Sequence, residues 1–514
     1  MTPHHATCAE DPADGAGRSW IRGITTTPSG AVVAEAARGL DAVTVFRHVA
    51  RRPHALFFDS AAIDRPAATA PPVRLGRFSF VAADPIHSWR VDRVAPWSDT
   101  CRDLDAVFSA ARRLLADCAM ATIPNLPPFQ GGVAGLVGYD CGLARLGLEP
   151  PPAAAEEPIL SLHAYDVVFA YDHDRGRGWF VSQGVPARDS LERSLLARAR
   201  LEAFLAPSAA DSGEKNARPQ RVEPTDHRHP LEGRPHVSST HSRDTYVAMV
   251  ARGIESVRAG DIFQANLAQR FTTAAGIDPV AAYLRAREVN PAPFAGYLDT
   301  GDMQVLSMSP ERFLQVTHGT VRTHPIKGTR RVTDRPEADL FAGDDLEASA
   351  KDRAENVMIV DLLRNDLARV CTPESVTVEA LCRLERYRYV QHLVSIVAGR
   401  LRDGLGPLDA FEAALPGGSI SGAPKHRACE IISELEGVAR GSYCGSIGYV
   451  GFDGTADFNL LIRTLVVTPG SIAFAAGGGI TAASDPSAEY AESLAKAEGM
   501  LRVLDAIGVG GGRP

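Results

Sequence analysis

Between Pro207 and Ser242 the sequence is dense in Pro, Arg, His, Glu and Ser and almost devoid of large apolar side chains. Such a stretch has little to bury against a core, so it reads as a linker or surface insertion at 207–242 and divides the chain. The structured parts are an α/β region at 31–206 and a second unit at 243–508, preceded by a polar, Gly- and Pro-punctuated flexible extension at 1–30. His227, His229, His236 and His241 fall in the linker-like stretch. A solvated reading is preferred there to a metal site, because nothing in the stretch holds ligands in a fixed geometry.

Each structured part is long enough for a core, with 514 residues in all, 45% hydrophobic and 23% charged. The net charge is −8, and the arginines are scattered among acids. That excludes the basic stripe of a nucleic-acid binder and removes support for membrane-surface binding. No apolar run approaches the ~18 residues of a membrane span, and Met1 to Trp20 lacks the apolar core of a signal peptide, so a cytoplasmic location is expected. The eight cysteines form no C-x-x-C pair. Small buried thiols are expected, not a zinc ribbon or a disulfide framework.

Periodicity predicts strands at 78–81, 165–171, 303–308, 312–316, 321–323, 444–452 and 472–475. Helices are predicted at 104–118, 190–205, 246–259, 348–367, 424–435 and 486–506. The last helix opens with an Asp485 cap and Pro486, and carries Glu489, Glu492 and Lys496 on one local patch off its apolar stripe. Helix 348–367 places Asp352 and Glu355 one turn apart. Each patch alone reads as a solvated face; two carboxylate-bearing helices together suit Mg²⁺, which takes one or two protein carboxylates and substrate oxygens. The turn Pro416–Pro424, with Ser419 inside it, precedes a helix, and Gly477-Gly478-Gly479 follows the strand at 472–475. Either is a structural turn or a cradle of N–H groups for an anion. Lys327, beside Gly328, is a surface charge or, if desolvated, a nucleophile.

These residues belong to motifs that occur together: Ser309-Pro310-Glu311-Arg312-Phe313, Pro325-Ile326-Lys327-Gly328-Thr329-Arg330, Asp352-Arg353-Ala354-Glu355-Asn356, Asp361-Leu362-Leu363-Arg364-Asn365-Asp366-Leu367, Gly417 through Lys425, Ile462-Arg463-Thr464 and Gly477 through Ile480. In this order they resemble the chorismate-utilising enzyme family, densely from Thr245 to about Leu504 and more thinly before it. The resemblance implies an α/β fold of the α+β type: two large antiparallel β-sheets packed as a sandwich and flanked by helices, with the active site in a cleft between subdomains. The unit at 243–508 then corresponds to the chorismate-binding catalytic domain.

Within the family the likeness is to the aminodeoxychorismate synthase branch, which converts chorismate and ammonia to 4-amino-4-deoxychorismate for 4-aminobenzoate, on the way to folate or a specialised metabolite. Lys327 stands where that branch carries lysine and anthranilate synthases usually carry alanine. Gln264 stands where water-using relatives typically carry an activating lysine. The resemblance implies Lys327 as covalent nucleophile, Glu311 as general acid and His392 as an orienting active-site residue. It implies Glu355 and Glu492 as Mg²⁺ ligands with Asp352 and Glu489 beside them. Substrate contacts fall to Gly328, Thr329, Ser419, Tyr443, Arg463, Gly477, Gly478, Gly479, Lys496 and Gln264. The sequence holds no glutaminase nucleophile elbow, so glutamine would be used only through a separate amidotransferase subunit. Phe57 through Ala61, including Ser60, resembles one wall of the family's tryptophan pocket, with Pro293 and Phe294 opposite. Anthranilate synthase and an inactive chorismate or tryptophan sensor are the alternatives; the second would lack a metal ligand or nucleophile.

Overall fold

The structure is a computed structural model that describes residues 20–61, 76–152, 157–207, 229–274, 276–332, 336–386 and 390–510. Two antiparallel sheets, one of fourteen strands and one of ten, carry the fold. Leu56, Phe80 and Val168 on the large sheet face Leu136, Ile447 and Tyr449 on the smaller one in a buried layer, which makes the pair a sandwich. Helices cover the outer faces. Phe46, Leu201, Tyr283 and Leu501 seal the large sheet, and Leu104, Phe108, Ile359 and Phe411 seal the small one. Each such side chain contributes about 1.5–3 kcal/mol of burial.

Both sheets draw strands from each side of the 207–242 stretch. In the large one, Leu56–Asp59 pairs with Phe294–Asp299; in the small one, Gly132–Val137 pairs with Ser446–Gly451. The linker-like stretch itself ends in two strands, His229–Leu231 and Arg234–Ser239, at the edge of the large sheet. Backbone pairing of Val237 through Ser239 with Phe271 through Thr273 outweighs their polar composition. His227 lies outside the described residues. The extension also ends sooner than composition suggested, because Ile21–Thr26 pairs with Val32–Ala36.

The strand predicted at 165–171 is two, Leu160–Tyr165 in the small sheet and Val167–Asp172 in the large one. The corner between them is Asp166, fully buried and held by the Arg200 guanidinium at 2.8 Å. The helix predicted at 348–367 forms as Ala350–Ala368, and a separate helix precedes it. Ser349 ends Pro336–Ala348 and caps Ala350–Ala368 by accepting the Asp352 N–H at 3.2 Å.

Near the start of helix Tyr139–Arg145, Asp140 is buried, and its Oδ1 has no hydrogen-bond partner among the described residues. Burial, reinforced by the Glu157 carboxylate, pushes its carboxyl up from 3.8 to about 7. The folded protein therefore binds a proton that the unfolded chain releases, and stability falls as pH rises through that window. Asp140→Asn, neutral throughout, is expected to melt several degrees above wild type at pH 8, a gain on the order of 2–4 kcal/mol. The difference should vanish near pH 4. Thermal melts at both pH values check it, and a variant melting lower at pH 8 contradicts it.

Candidate active site

Strand Ile326–Arg331 pairs antiparallel with Val390–Arg400, and the register slips between Lys327↔Leu393 and Thr329↔His392. The residue at the slip is Gly328, with φ of +70°, where a side chain is strained. A Cβ there would also lie 3.0 Å from Asp352 Cγ. The glycine thus lets the helix bearing Asp352 and Glu355 close on this strand, and the bulge re-aims its neighbours. Lys327, Gly328, Asp352, Glu355 and His392 all line one cavity of about 430 Å³.

The cavity's second wall is the strand Ser471–Ile480. The triple glycine lies inside this strand, not after it, because Gly477 through Gly479 pair with Ala268 through Asn266 on Gln264–Ala274. Lys496, on helix Pro486–Ala506, donates to the Gly477 carbonyl at 3.0 Å and pairs with Glu492 at 2.8 Å. A Cβ on Gly478 would sit 3.1 Å from Glu489 Oε2 and 3.5 Å from Glu492 Oε1. The third wall is the turn at Gly418–Ile420 together with Glu311, Tyr443 and Arg463.

A chain of hydrogen bonds joins the chemistry-bearing groups. Lys327 Nζ donates to the Ser419 carbonyl at 3.0 Å, and Ser419 Oγ donates to Glu311 Oε1 at 2.9 Å. Burial holds the Lys327 amine below its ordinary value, against the pull of Glu355 and Glu311. Burial likewise pushes the Glu311 carboxyl up, although Lys327 and Ser419 oppose it. The pair is therefore biased toward neutral amine and neutral acid. His392 is held down to about 4 by burial and by Arg463, which leaves it uncharged near neutral pH. Burial also lowers the Arg463 guanidinium below its ordinary value.

Four carboxylates, Asp352, Glu355, Glu489 and Glu492, border the same space. Burial pushes Glu355 and Glu489 up, and Glu492 adds to both; Asp352 adds to Glu355. Burial pushes Glu492 up as well, but the Lys496 ammonium together with Lys351 and Lys327 outweighs it and holds the carboxyl down. Desolvated acids crowded in this way favour a cation. No three His, Cys, Asp or Glu among the described residues form a ready metal cage. An all-oxygen set with room for water fits Mg²⁺, which binds through one or two carboxylates.

Some sequence-derived residues stand elsewhere. Gln264 is buried, and its amide fills the space a Cβ on Gly479 would need, so it does not line the cavity. The Thr329 side chain lies outside the described residues. Asn266, Arg330 and Lys351 line the cavity and were not singled out. The period-2 spacing from Gln264 could have flagged Asn266, and adjacency to Asp352 could have flagged Lys351. Ser60 and Phe294 line a second cavity of about 450 Å³, between the sheets, whereas Pro293 does not. The Ser60 hydroxyl there donates to the Phe78 carbonyl at 2.6 Å, and the Arg312 guanidinium lies 4.7 Å over the Phe294 ring.

The cavity gathers carboxylates and a buried lysine, and residues 76–502 around it fit the model for chorismate binding enzymes; the chain belongs to that family. Its relatives carry two names. It is 39% identical over 391 residues to an anthranilate synthase component 1 from Streptomyces coelicolor, covering 75% of each chain. It is 36% identical over 437 residues to an aminodeoxychorismate synthase component 1 from Salmonella typhimurium, covering 84% of this chain and 90% of that one. The fold superposes on anthranilate synthase component I from Streptococcus pneumoniae with a TM-score of 0.67 at 28% identity, covering 85% of this chain and 94% of that one. Among the described residues, no helix is long and apolar enough to cross a membrane.

Proposed function

We propose that this chain converts chorismate and ammonia to 4-amino-4-deoxychorismate, with Lys327 as a transient covalent nucleophile. The observation that carries the reading is the Lys327 amine, which lies in the cavity, desolvated and two hydrogen bonds from Glu311. Neutral Lys327 attacks ring carbon C2, two ring double bonds shift, and the C4–O bond breaks as Glu311 gives its proton to the departing hydroxyl, forming water. Ammonia then attacks C4, the double bonds shift back, and Lys327 leaves C2 as a neutral amine. The carboxylate of Glu311 takes the surplus proton from the new C4 ammonium, which restores the acid. Arg463, Tyr443 and Lys496 hold the substrate's carboxylates with charge-assisted and neutral donors. Neutral His392 orients groups and transfers no proton.

Glu355 and Glu492, with Asp352 and Glu489 beside them, would hold Mg²⁺. The ion, when bound, cancels carboxylate charge and fixes the substrate's ring carboxylate. The ammonia would come from a separate glutaminase subunit, in keeping with the component 1 names of the relatives. Tryptophan is assigned to the second cavity, on the wall formed by Ser60 and Phe294.

Anthranilate formation is the second reading, favoured by the identity to relatives of that name. Incubation with chorismate, Mg²⁺ and ammonium chloride, with and without an aminodeoxychorismate lyase, separates the two. Release of 4-aminobenzoate only in the coupled reaction is expected, and excess EDTA should abolish it. Anthranilate as the main product would replace the first reading with the second.

A further inference from the structure

Behind the cavity wall lies a guanidinium that touches three residues of its lining. Arg440 is 5% exposed. Its Nε and Nη2 pair with Glu436 at 2.9 and 2.6 Å. Nη1 donates to the Ile420 carbonyl at 3.0 Å, and Nη2 to the Asn266 carbonyl at 2.5 Å. The guanidinium carbon stands 4.7 Å from the Tyr139 ring and 5.6 Å from the Tyr443 ring. Asn266, Ile420 and Tyr443 each line the catalytic cavity. Ile420 directly follows Ser419, whose carbonyl receives the Lys327 amine and whose hydroxyl reaches Glu311. Glu436 in turn accepts the Ala268 N–H at 2.8 Å, tying the same cluster to the strand that pairs with the glycine run.

We infer that Arg440 is a positioning residue: its planar fork fixes the Ser419–Ile420 turn, the Asn266 strand and the Tyr443 ring relative to one another, and through Ser419 it sets where the Lys327 amine points. The assignment rests on the functional reading of the cavity given above. A buried ion pair of this kind adds little net stability compared with apolar packing, so its value lies in the geometry it specifies. Lysine cannot substitute, because a single ammonium lacks the fork that reaches a carboxylate and two separate carbonyls at once. Looseness of about 1 Å in such a support costs on the order of 10²-fold in rate while leaving ground-state binding largely intact.

Two measurements on the full chain test this, with Arg440→Lys, which keeps the charge beside Glu436. The first is steady-state turnover of chorismate. A fall in kcat of about 100-fold is expected, with KM for chorismate within about threefold of wild type. The second needs no turnover: the rate at which trinitrobenzenesulfonate modifies Lys327, mapped by peptide mass spectrometry against Lys351 as internal reference. Release of the Ser419 turn should change that ratio by about tenfold, whereas general loosening of the fold would move both lysines together. An unchanged Lys327 to Lys351 ratio in a variant with wild-type circular dichroism overturns the inference, as does a raised KM at unaltered kcat. If Arg440→Lys does not fold, Glu436→Gln, which weakens the same clamp from the other side, should move both readouts in the same direction by a smaller factor. A wild-type chain that fails to turn over chorismate refutes the functional reading alone, and the labelling ratio still decides the role of Arg440.

Discussion

Lys327→Ala is expected to lower 4-amino-4-deoxychorismate formation by about 10³-fold or more, because the first substitution loses its only enclosed amine among the cavity's nucleophiles. The change should not unfold the protein. Removing a desolvated amine relieves a burial cost, and the hydrogen bond lost is one to the Ser419 carbonyl. The measurement is the lyase-coupled rate of the purified variant beside its melting curve. A variant that keeps the wild-type rate would mean that ammonia reaches C4 without a lysine adduct. A variant that instead gives some 2-amino product would show that the cavity still binds and activates chorismate when the amine at C2 is gone.

Gly478→Val should be the next most damaging change, with kcat/KM lower by about 100-fold and a higher Mg²⁺ requirement. The added Cβ alone would stand 3.1 Å from Glu489 Oε2 and 3.5 Å from both Glu492 Oε1 and Lys496 Nζ. Two further methyl groups must then push the carboxylates off the positions that Ser484 and Lys496 fix. Strand pairing is preserved, since valine favours extended backbone, so the loss should appear in turnover against Mg²⁺ concentration and hardly at all in circular dichroism. Activity and metal dependence like those of wild type would remove Gly477–Gly479 from the substrate wall.

Much of this site can be read one residue at a time. The helix with Asp485 as cap and Pro486 in its first turn forms as its sequence dictates, with Asp485 accepting the Ala488 N–H at 2.8 Å. Its acids fall at helical spacing, and so do Asp352 and Glu355 on the other helix. The motifs around Lys327, Ser419 and Arg463 carried the family, and with it the sandwich. Less legible were features that depend on a partner distant in the chain. Polar residues at 234–239 became a strand because Phe271 through Thr273 offered free backbone groups. The apparent single strand at 165–171 became two because Arg200 could neutralise a buried Asp166 at the corner.

The sequence by itself determined which chemistry is present: acids one helical turn apart, a lysine beside a glycine, and Gly-rich segments whose local backbone preferences need no other part of the chain. Only the tertiary structure decided what each group does. The ionisation of Lys327, Glu311 and His392 follows from desolvation and from charges far away in sequence. Likewise, the hold of Arg440 on Asn266, Ile420 and Tyr443 at once exists only where separate strands and turns are packed together.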